Sequence, residues 1–274
     1  MKEYYISKET TLSGFGRTSG YYHLLIDFII PLFVHARGDD ITLHISNRRL
    51  DPRFDHPVRP GVMPVDRVNY IIECVFGDRL SYGQNFHNKH CGQIWLTRRQ
   101  KERLPLPKVI RGVNTWWRAD FKATPGHLGI WGEYDLEHYK YFREEMWNKF
   151  NIPEPGQYYV TIIHRGADAN FRGKKLPKDI CNKIKQQFKT NLPIRIVNFG
   201  DLSFEQTVRI CRETKVLIGQ HGAGLANCAF MELDSTIIEY GPFKLPCYQV
   251  LANCCGLVYN RTSLRDDTIN VYDE

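Results

Sequence analysis

The sequence predicts an α/β protein in two lobes, the C-terminal lobe a doubly wound parallel sheet. Three observations carry this. Between residues 157 and 240 short apolar runs alternate with amphipathic segments in the order β-α-β-α-β-α-β, the pattern of a parallel sheet covered by helices. One of those runs is followed at once by a glycine-rich turn, His221-Gly222-Ala223-Gly224. The length, 274 residues with 42% hydrophobic content, is enough to bury a sizeable core in more than one lobe.

Taken in order, Tyr21–Val34 reads as an apolar helix broken late by Pro31. Ile41–Ser46 and Val68–Phe76 read as strands, with the Pro-rich loop Asp51–Pro64 between them, and Gly92–Thr97 as a further strand. Trp116–Gly132, with its tryptophans and glycines, reads as a loop over a cleft. Glu133–Phe150 reads as a helix with Tyr139, Phe142, Met146 and Phe150 toward a core. Pro153, Pro155 and Gly156 mark a linker, so the lobes are expected at residues 1–150 and 151–274.

The second lobe opens with the strand Gln157–His164. Pro177–Phe188 follows as a helix: Pro177 suits a first turn, and Ile180, Ile184 and Phe188 recur at helical spacing. Ile194–Phe199 is the next strand. Ser203-Phe204-Glu205-Gln206 has the form of a capping box and opens a helix with Phe204, Val208 and Cys211 on one face. Then come the strand Lys215–Gly219, the glycine turn, a short helix over Leu225–Met231, and the strand Thr236–Tyr240.

Ligands of such sheets bind beyond the carboxyl ends of the strands. Both His164-Arg165 and His221-Gly222 fall there. Glycines between a strand and a helix let backbone N–H groups approach an anion, and the helix N-terminus adds partial positive charge. The turn Gly222, Ala223, Gly224 and Leu225 therefore points to the phosphates of a nucleotide or nucleotide-sugar; the competing reading is a turn that only packs strand on helix. Arg165, at a strand end, and Arg172, in the polar loop after it, suit bidentate phosphate binding or a plain exposed loop. Glu239, ending the last strand, suits acceptance of ribose hydroxyls or a surface salt bridge. His221 suits contact with the pyrophosphate or sugar, or a structural hydrogen bond.

His23 and Asp27 lie four residues apart on an apolar helix, which places them on one face. Ionisable groups there cost free energy unless paired or lining a cleft. They suit a general base with a partner that orients it, or an interlobe hydrogen bond. Asp66 and Asp78 are alternative bases, each read as a loop residue.

The net charge of +7 favours an anionic partner. The basic residues are scattered, with no dense tract beyond Arg98-Arg99-Gln100-Lys101, so nucleic acid is not expected. The 8 cysteines show no zinc spacing; Cys181, Cys211 and Cys228 sit in apolar periodic segments and read as small core residues. No Asp-x-Asp occurs, so no metal is expected to hold a diphosphate, and a GxSxG elbow, a Walker lysine and HExxH are absent. Gly222-x-Gly224 with Asn227 is a broken dinucleotide fingerprint, which disfavours an oxidoreductase. No run approaches the roughly 18 apolar residues of a membrane span, and the first residues lack a signal-peptide core. A cytoplasmic protein with reduced thiols is expected, or a lumenal one if a leader has been removed.

His221–Met231 (HGAGLANCAFM) followed by Ile237–Tyr240 (IIEY) resembles the C-terminal signature of glycosyltransferase family 61. Ile162-Ile163-His164-Arg165 resembles that family's strand and arginine, and Phe199–Gly219 its segment before the glycine turn. Gly20-Tyr21-Tyr22-His23, Asp27 and Pro31-Leu32-Phe33 resemble its N-terminal aromatic-histidine helix. The resemblance covers roughly residues 158–242, and briefly the N-terminal helix. It implies a two-lobed GT-B architecture and an inverting, metal-independent transfer from a UDP-sugar, with no other cofactor, to a hydroxyl of a carbohydrate or glycoprotein acceptor. It aligns Arg165 with a phosphate-binding arginine and brings the His23 helix near the cleft. Xylose is expected ahead of N-acetylglucosamine as donor sugar. The alternative is a catalytically inactive nucleotide- or glycan-binding protein of the same fold.

Overall fold

The chain divides into two compact units, Met1–Tyr134 and Asp135–Glu274. The fold is given by a computed structural model that describes residues 2–6, 20–30, 33–34, 37–45, 63, 65–82, 136–164, 178–241 and 247–262. The expected strand Gly92–Thr97 and the loop Trp116–Gly132 lie outside the described residues, as does the loop Asp51–Pro64 apart from residue 63.

The first unit carries a parallel three-stranded sheet, β1 (Lys2–Ile6), β2 (Ile41–Ile45) and β3 (Leu80–Tyr82), in chain order. Helix α1 (Tyr21–Leu24) runs directly into a π-helical turn, Leu25–Ile29. An α-helix would bond the Asp27 carbonyl to the amide four residues on, but that residue is Pro31, which has no N–H. Helix α2 spans Val65–Phe76.

The expected strand Val68–Phe76 is therefore a helix. Its sequence, VNYIIECVF, is rich in β-branched and aromatic residues, which favour strands. Yet the buried positions are Val68, Ile71, Ile72, Val75 and Phe76, the i, i+3, i+4, i+7, i+8 stripe of a helix. Phe76 closes the stripe against Phe33, with ring centroids 5.9 Å apart. Asp66 and Asp78 change with it. Asp66 lies in the first turn of α2, where a carboxylate complements the helix N-terminus, and Asp78 in the 3-10 turn Gly77–Arg79. Neither is a loop residue.

The second unit is a mixed α/β layer structure on a parallel five-stranded sheet. Helix α3 (Leu136–Lys149) precedes β4 (Tyr159–Ile163), α4 (Lys178–Gln187), β5 (Ile194–Val197), α5 (Phe204–Arg212) and β6 (Thr214–Gln220). A 3-10 helix (Ala223–Phe230), β7 (Thr236–Tyr240), α6 (Cys247–Cys255) and β8 (Val258–Thr262) complete it. The strand order is β5-β4-β6-β7-β8, all parallel. The chain moves outward from β4 to β5, then returns past β4 and continues the other way. Right-handed crossovers then put α4 on one face and the later helices on the other.

Packing follows that division. Cys181 and Ile184 of α4 join Val160, Ile162, Ile218, Ile238 and Tyr240 in one core. On the opposite face Phe230 of the 3-10 helix meets Phe142 of α3 at 5.7 Å and Phe204 of α5 at 5.5 Å. The capping box of α5 is present as expected: Gln206 N donates to Ser203 Oγ, and Ser203 N donates to Gln206 Oε1. Arg143, in the middle of α3, is 1% exposed and donates to the carbonyls of Met231 (2.8 Å) and Cys255 (2.9 Å), one residue past the 3-10 helix and at the end of α6. A cation there meets the negative ends of two helices.

Helix α6 and strand β8 were not read from the sequence. Gly256 stops α6 in a Schellman arrangement: Leu257 N donates to Ala252 O (2.9 Å) and Gly256 N to Asn253 O (3.2 Å). Its φ is +69°, and a Cβ there would lie 2.6 Å from Leu233 Cδ2 and 2.8 Å from Leu136 Cδ1. Gly256→Ala is expected to destabilise the protein by about 1–3 kcal/mol through left-handed strain and crowding, seen as a lower urea midpoint with unchanged slope.

Candidate functional site

The crevice of a sheet with this strand order lies where the chain reverses direction, between the carboxyl ends of its first and third strands in sequence. In the second unit those are β4 and β6. Strand β4 ends at Ile163, and His164 N donates to Val197 O at 2.8 Å. Strand β6 ends at Gln220, and His221 N donates to Tyr240 O at 3.1 Å, which ties the start of the glycine turn to the end of β7.

The turn sits down closely on β4 because two glycines permit it. A Cβ on Gly219 would lie 2.8 Å from Ile163 Cδ1 and 3.0 Å from Leu225 Cδ2, and one on Gly224 would lie 3.3 Å from Ile163 Cγ2. Leu225 is fully buried beneath the turn. Its amide donates to Gly222 O at 3.0 Å, and Asn227 Nδ2 donates to Gly224 O at 3.0 Å, so the turn is braced from within. The expected short helix after the glycines is the 3-10 helix. Its first residues, with Gly222 before them, place backbone amides at a positive helix end beside the crevice.

Behind the turn lies a buried polar chain. Glu239 is 1% exposed; His221 Nδ1 hydrogen-bonds its Oε1, and Tyr259 Oη donates to its Oε2 at 2.6 Å. Glu239 is thus not a surface salt bridge: both oxygens are held inside the protein. The Tyr248 ring meets the imidazole edge-on, with centroids 5.1 Å apart. Burial and the hydrogen bond to Glu239 push the Tyr259 phenol well up from its ordinary range, which keeps it the donor. Tyr259 and Tyr248 were missed from the sequence because they come from β8 and α6. The β7–β8 register, with Ile237 opposite Tyr259, is what brings the phenol beside the strand's glutamate.

Arg165 and Arg172 lie outside the described residues. His23 lies on α1 and Asp27 on the π turn, and the side chains of both lie outside the described residues. Their shared face was expected for a continuous α-helix, and the backbone over 25–29 is π-helical instead. No disulfide joins the cysteines among the described residues, and Cys181, Cys211 and Cys228 are buried as small core residues, as expected. Burial raises the thiols of Cys211 and Cys228, and that of Cys247 to about 12, so none of these is a poised nucleophile. No helix among the described residues is long and apolar enough to cross a membrane.

The model of a family described as Glycosyltransferase 61 matches residues 21–238. Among curated proteins, the chicken (Gallus gallus) EGF domain-specific O-linked N-acetylglucosamine transferase is 26% identical over 126 residues, covering 44% of this chain and 23% of that protein. The enzyme of the same name from Drosophila melanogaster is 27% identical over 130 residues, 47% of this chain and 25% of the relative. The mouse (Mus musculus) protein is 27% identical over 128 residues, 44% and 24%. The matched segments thus span about a quarter of these relatives.

Proposed function

The chain belongs to glycosyltransferase family 61, and from that premise we propose that it moves a sugar from a UDP-sugar to a hydroxyl of a carbohydrate or glycoprotein acceptor, with inversion and without a metal. The observation that carries the reading is the braced glycine turn at the sheet's crevice, inside the segment that the family model covers. The C-terminal region is the nucleotide-sugar lobe and the N-terminal region the acceptor lobe of a GT-B pair. N-acetylglucosamine stands first as donor sugar because the curated relatives are named for it; xylose, first on sequence resemblance alone, stands second.

An acceptor hydroxyl attacks the anomeric carbon from the face opposite the diphosphate. The C–O bond to the diphosphate breaks, its electron pair leaves with UDP, and a base takes the hydroxyl proton. Charge grows on the departing diphosphate, so donors fixed there lower the barrier. The amides of Gly222, Ala223 and Gly224 and the guanidinium groups of Arg165 and Arg172 fill that role; the Leu225 amide is already engaged by Gly222 O. Asp27 or His23 is the base, each orienting the other.

Arg165→Ala is expected to weaken UDP binding about 10–100-fold, from the roughly 1.5–3 kcal/mol of a charge-assisted phosphate contact, with the unfolding midpoint unchanged. Calorimetric titration of both forms checks this, and equal UDP affinity would remove Arg165 from the site. The same titration with NAD and an oligonucleotide separates the UDP-sugar reading from a dinucleotide-dependent oxidoreductase and a nucleic-acid binder, since only UDP and UDP-sugars should bind tightly.

A further inference from the structure

Three fully buried cysteines come from three elements: Cys228 from the 3-10 helix after the glycine turn, Cys255 from the last position of α6, and Cys211 from α5. The thiols of Cys228 and Cys255 hydrogen-bond one another, and Cys211 lies near enough to act on Cys228 through its charge. Arg143 reaches into the same place and donates to the backbone carbonyl of Cys255 at 2.9 Å. Among the described residues no carboxylate pairs with this guanidinium, and its Nη2 is buried without a hydrogen-bond acceptor. A buried cation with a spare donor beside two thiols favours a thiolate there. The sugar-transfer reading uses none of these groups.

We propose that Cys228 and Cys255 form an oxidisable dithiol, which a low-molecular-weight disulfide such as glutathione disulfide converts to a covalent bond between the 3-10 helix and α6. Cys255 attacks first, with the Arg143 guanidinium held at its own residue. Its thiolate takes one sulfur of the oxidant, and the other sulfur departs. Cys228 then attacks the Cys255 sulfur of the mixed disulfide, and the second sulfur of the oxidant departs. The two thiol protons leave on the two departing sulfurs, and the two electrons lost by the cysteines reduce the oxidant. Burial, with the Cys255 hydrogen bond adding to it, holds the Cys228 thiol protonated, which makes it the second sulfur rather than the first. Closure brings hydrogen-bonded sulfurs to the roughly 2.05 Å of a disulfide. The oxidant enters at the end of α6, since helix ends open before their middles, and the neighbouring Cys254 is only half-buried. The bond staples two elements that frame the candidate site. The 3-10 helix begins in the glycine turn, and α6 carries Tyr248 against the His221 ring at 5.1 Å.

The test uses the full chain, reduced and then equilibrated near neutral pH over a series of glutathione to glutathione disulfide ratios. One set of samples stays folded, and a second is refolded from denaturant in the same buffers. After an acid quench the remaining thiols are blocked in denaturant and counted by mass spectrometry. The expected result is an oxidised species with two blocking groups fewer than the 8 of the reduced chain, and a linked peptide pair that contains Cys228 and Cys255. Its thermal midpoint is expected about 5–15 °C above that of the reduced chain, from the constraint on the unfolded state, and dithiothreitol should remove the increment. Cys228→Ala and Cys255→Ala should each lose both the link and the increment; where a variant fails to fold, the peptide assignment in the parent decides alone. Complete blocking at every ratio, in folded and refolded samples alike, overturns the proposal. So does a link through Cys211, a link within Cys254-Cys255, or a Cys228–Cys255 bond that leaves the midpoint unchanged or lower. Sugar transfer by the reduced chain is independent of each of these outcomes.

Discussion

Asp27→Asn is expected to lower turnover about 10²–10⁴-fold, the usual cost of removing a general base, while UDP binding stays within a factor of two or so of the parent. His23→Ala is expected to behave likewise. An inverting transfer needs one proton acceptor on the side of the reacting carbon opposite the diphosphate, and this pair is the ionisable feature of the apolar N-terminal helix. Its backbone adds an argument: Leu25–Ile29, with Asp27 at its centre, is a π turn inserted after α1. Such turns are uncommon, cost regular hydrogen bonding and occur frequently at functional sites. The flanking residues Leu24, Leu25, Ile26, Ile29 and Ile30 are fully buried, so the segment itself is firmly packed. A loss of rate could also follow from damage to this packing, which is why the unfolding midpoint must be measured on the same samples. Stable variants that retain full turnover would move the base elsewhere. Asp66 and Asp78 would then be next, now as residues of a helix N-terminal turn and a 3-10 turn.

Arg143→Met is expected to destabilise the second unit by about 2–6 kcal/mol, the sum for two buried carbonyls left without donors at roughly 1–3 kcal/mol each. Methionine keeps most of the volume, so the loss reads the hydrogen bonds rather than a cavity. The carbonyls of Met231 and Cys255 lie 88 and 112 residues away in sequence, so Arg143 hydrogen-bonds α3 to both helix ends. Burial lowers the guanidinium from its ordinary value, and the thiol of Cys255 and the carboxylate of Glu144 oppose that. Arginine stays charged in proteins all the same. Against a typical stability of about 5–15 kcal/mol the loss is large, and a thermal midpoint lower by on the order of 10 °C should accompany it. Arg143→Lys should recover part of it through a single donor. A midpoint within a degree or two of the parent would show that the two carbonyls find other donors.

What was legible in the sequence was local. The Ser203–Gln206 cap, the alternation through β4–β7 and the glycine turn depend on neighbours within a few residues, and each appears where the pattern places it. The Val68–Phe76 run misled because side-chain type and periodicity disagreed there; its buried stripe, from Val68 to Phe76 at helical spacing, was the better guide. Gly256 was a readable helix stop that would have exposed α6 and β8. Arg143 and Tyr259 carried no such signal. A charged residue on α3 looks solvated until two distant helix ends supply its acceptors, and Tyr259 meets Glu239 only once β8 pairs with β7. The core of the candidate site follows the same rule, with the turn visible in advance and the buried chain behind it made by tertiary register.

The central claim is catalysis of sugar transfer from a UDP-sugar through the glycine turn. The measurement that meets it most directly is UDP release from UDP-N-acetylglucosamine, UDP-xylose and other nucleotide-sugars, first by hydrolysis and then with carbohydrate and glycoprotein acceptors, in excess EDTA. The account predicts release from a UDP-sugar that is stimulated by an acceptor, is undiminished by EDTA, and falls sharply with Asp27→Asn. Tight UDP binding with no release from any donor would contradict it and leave a nucleotide-binding protein of this fold. Release abolished by EDTA and restored by manganese would contradict its metal-independent chemistry.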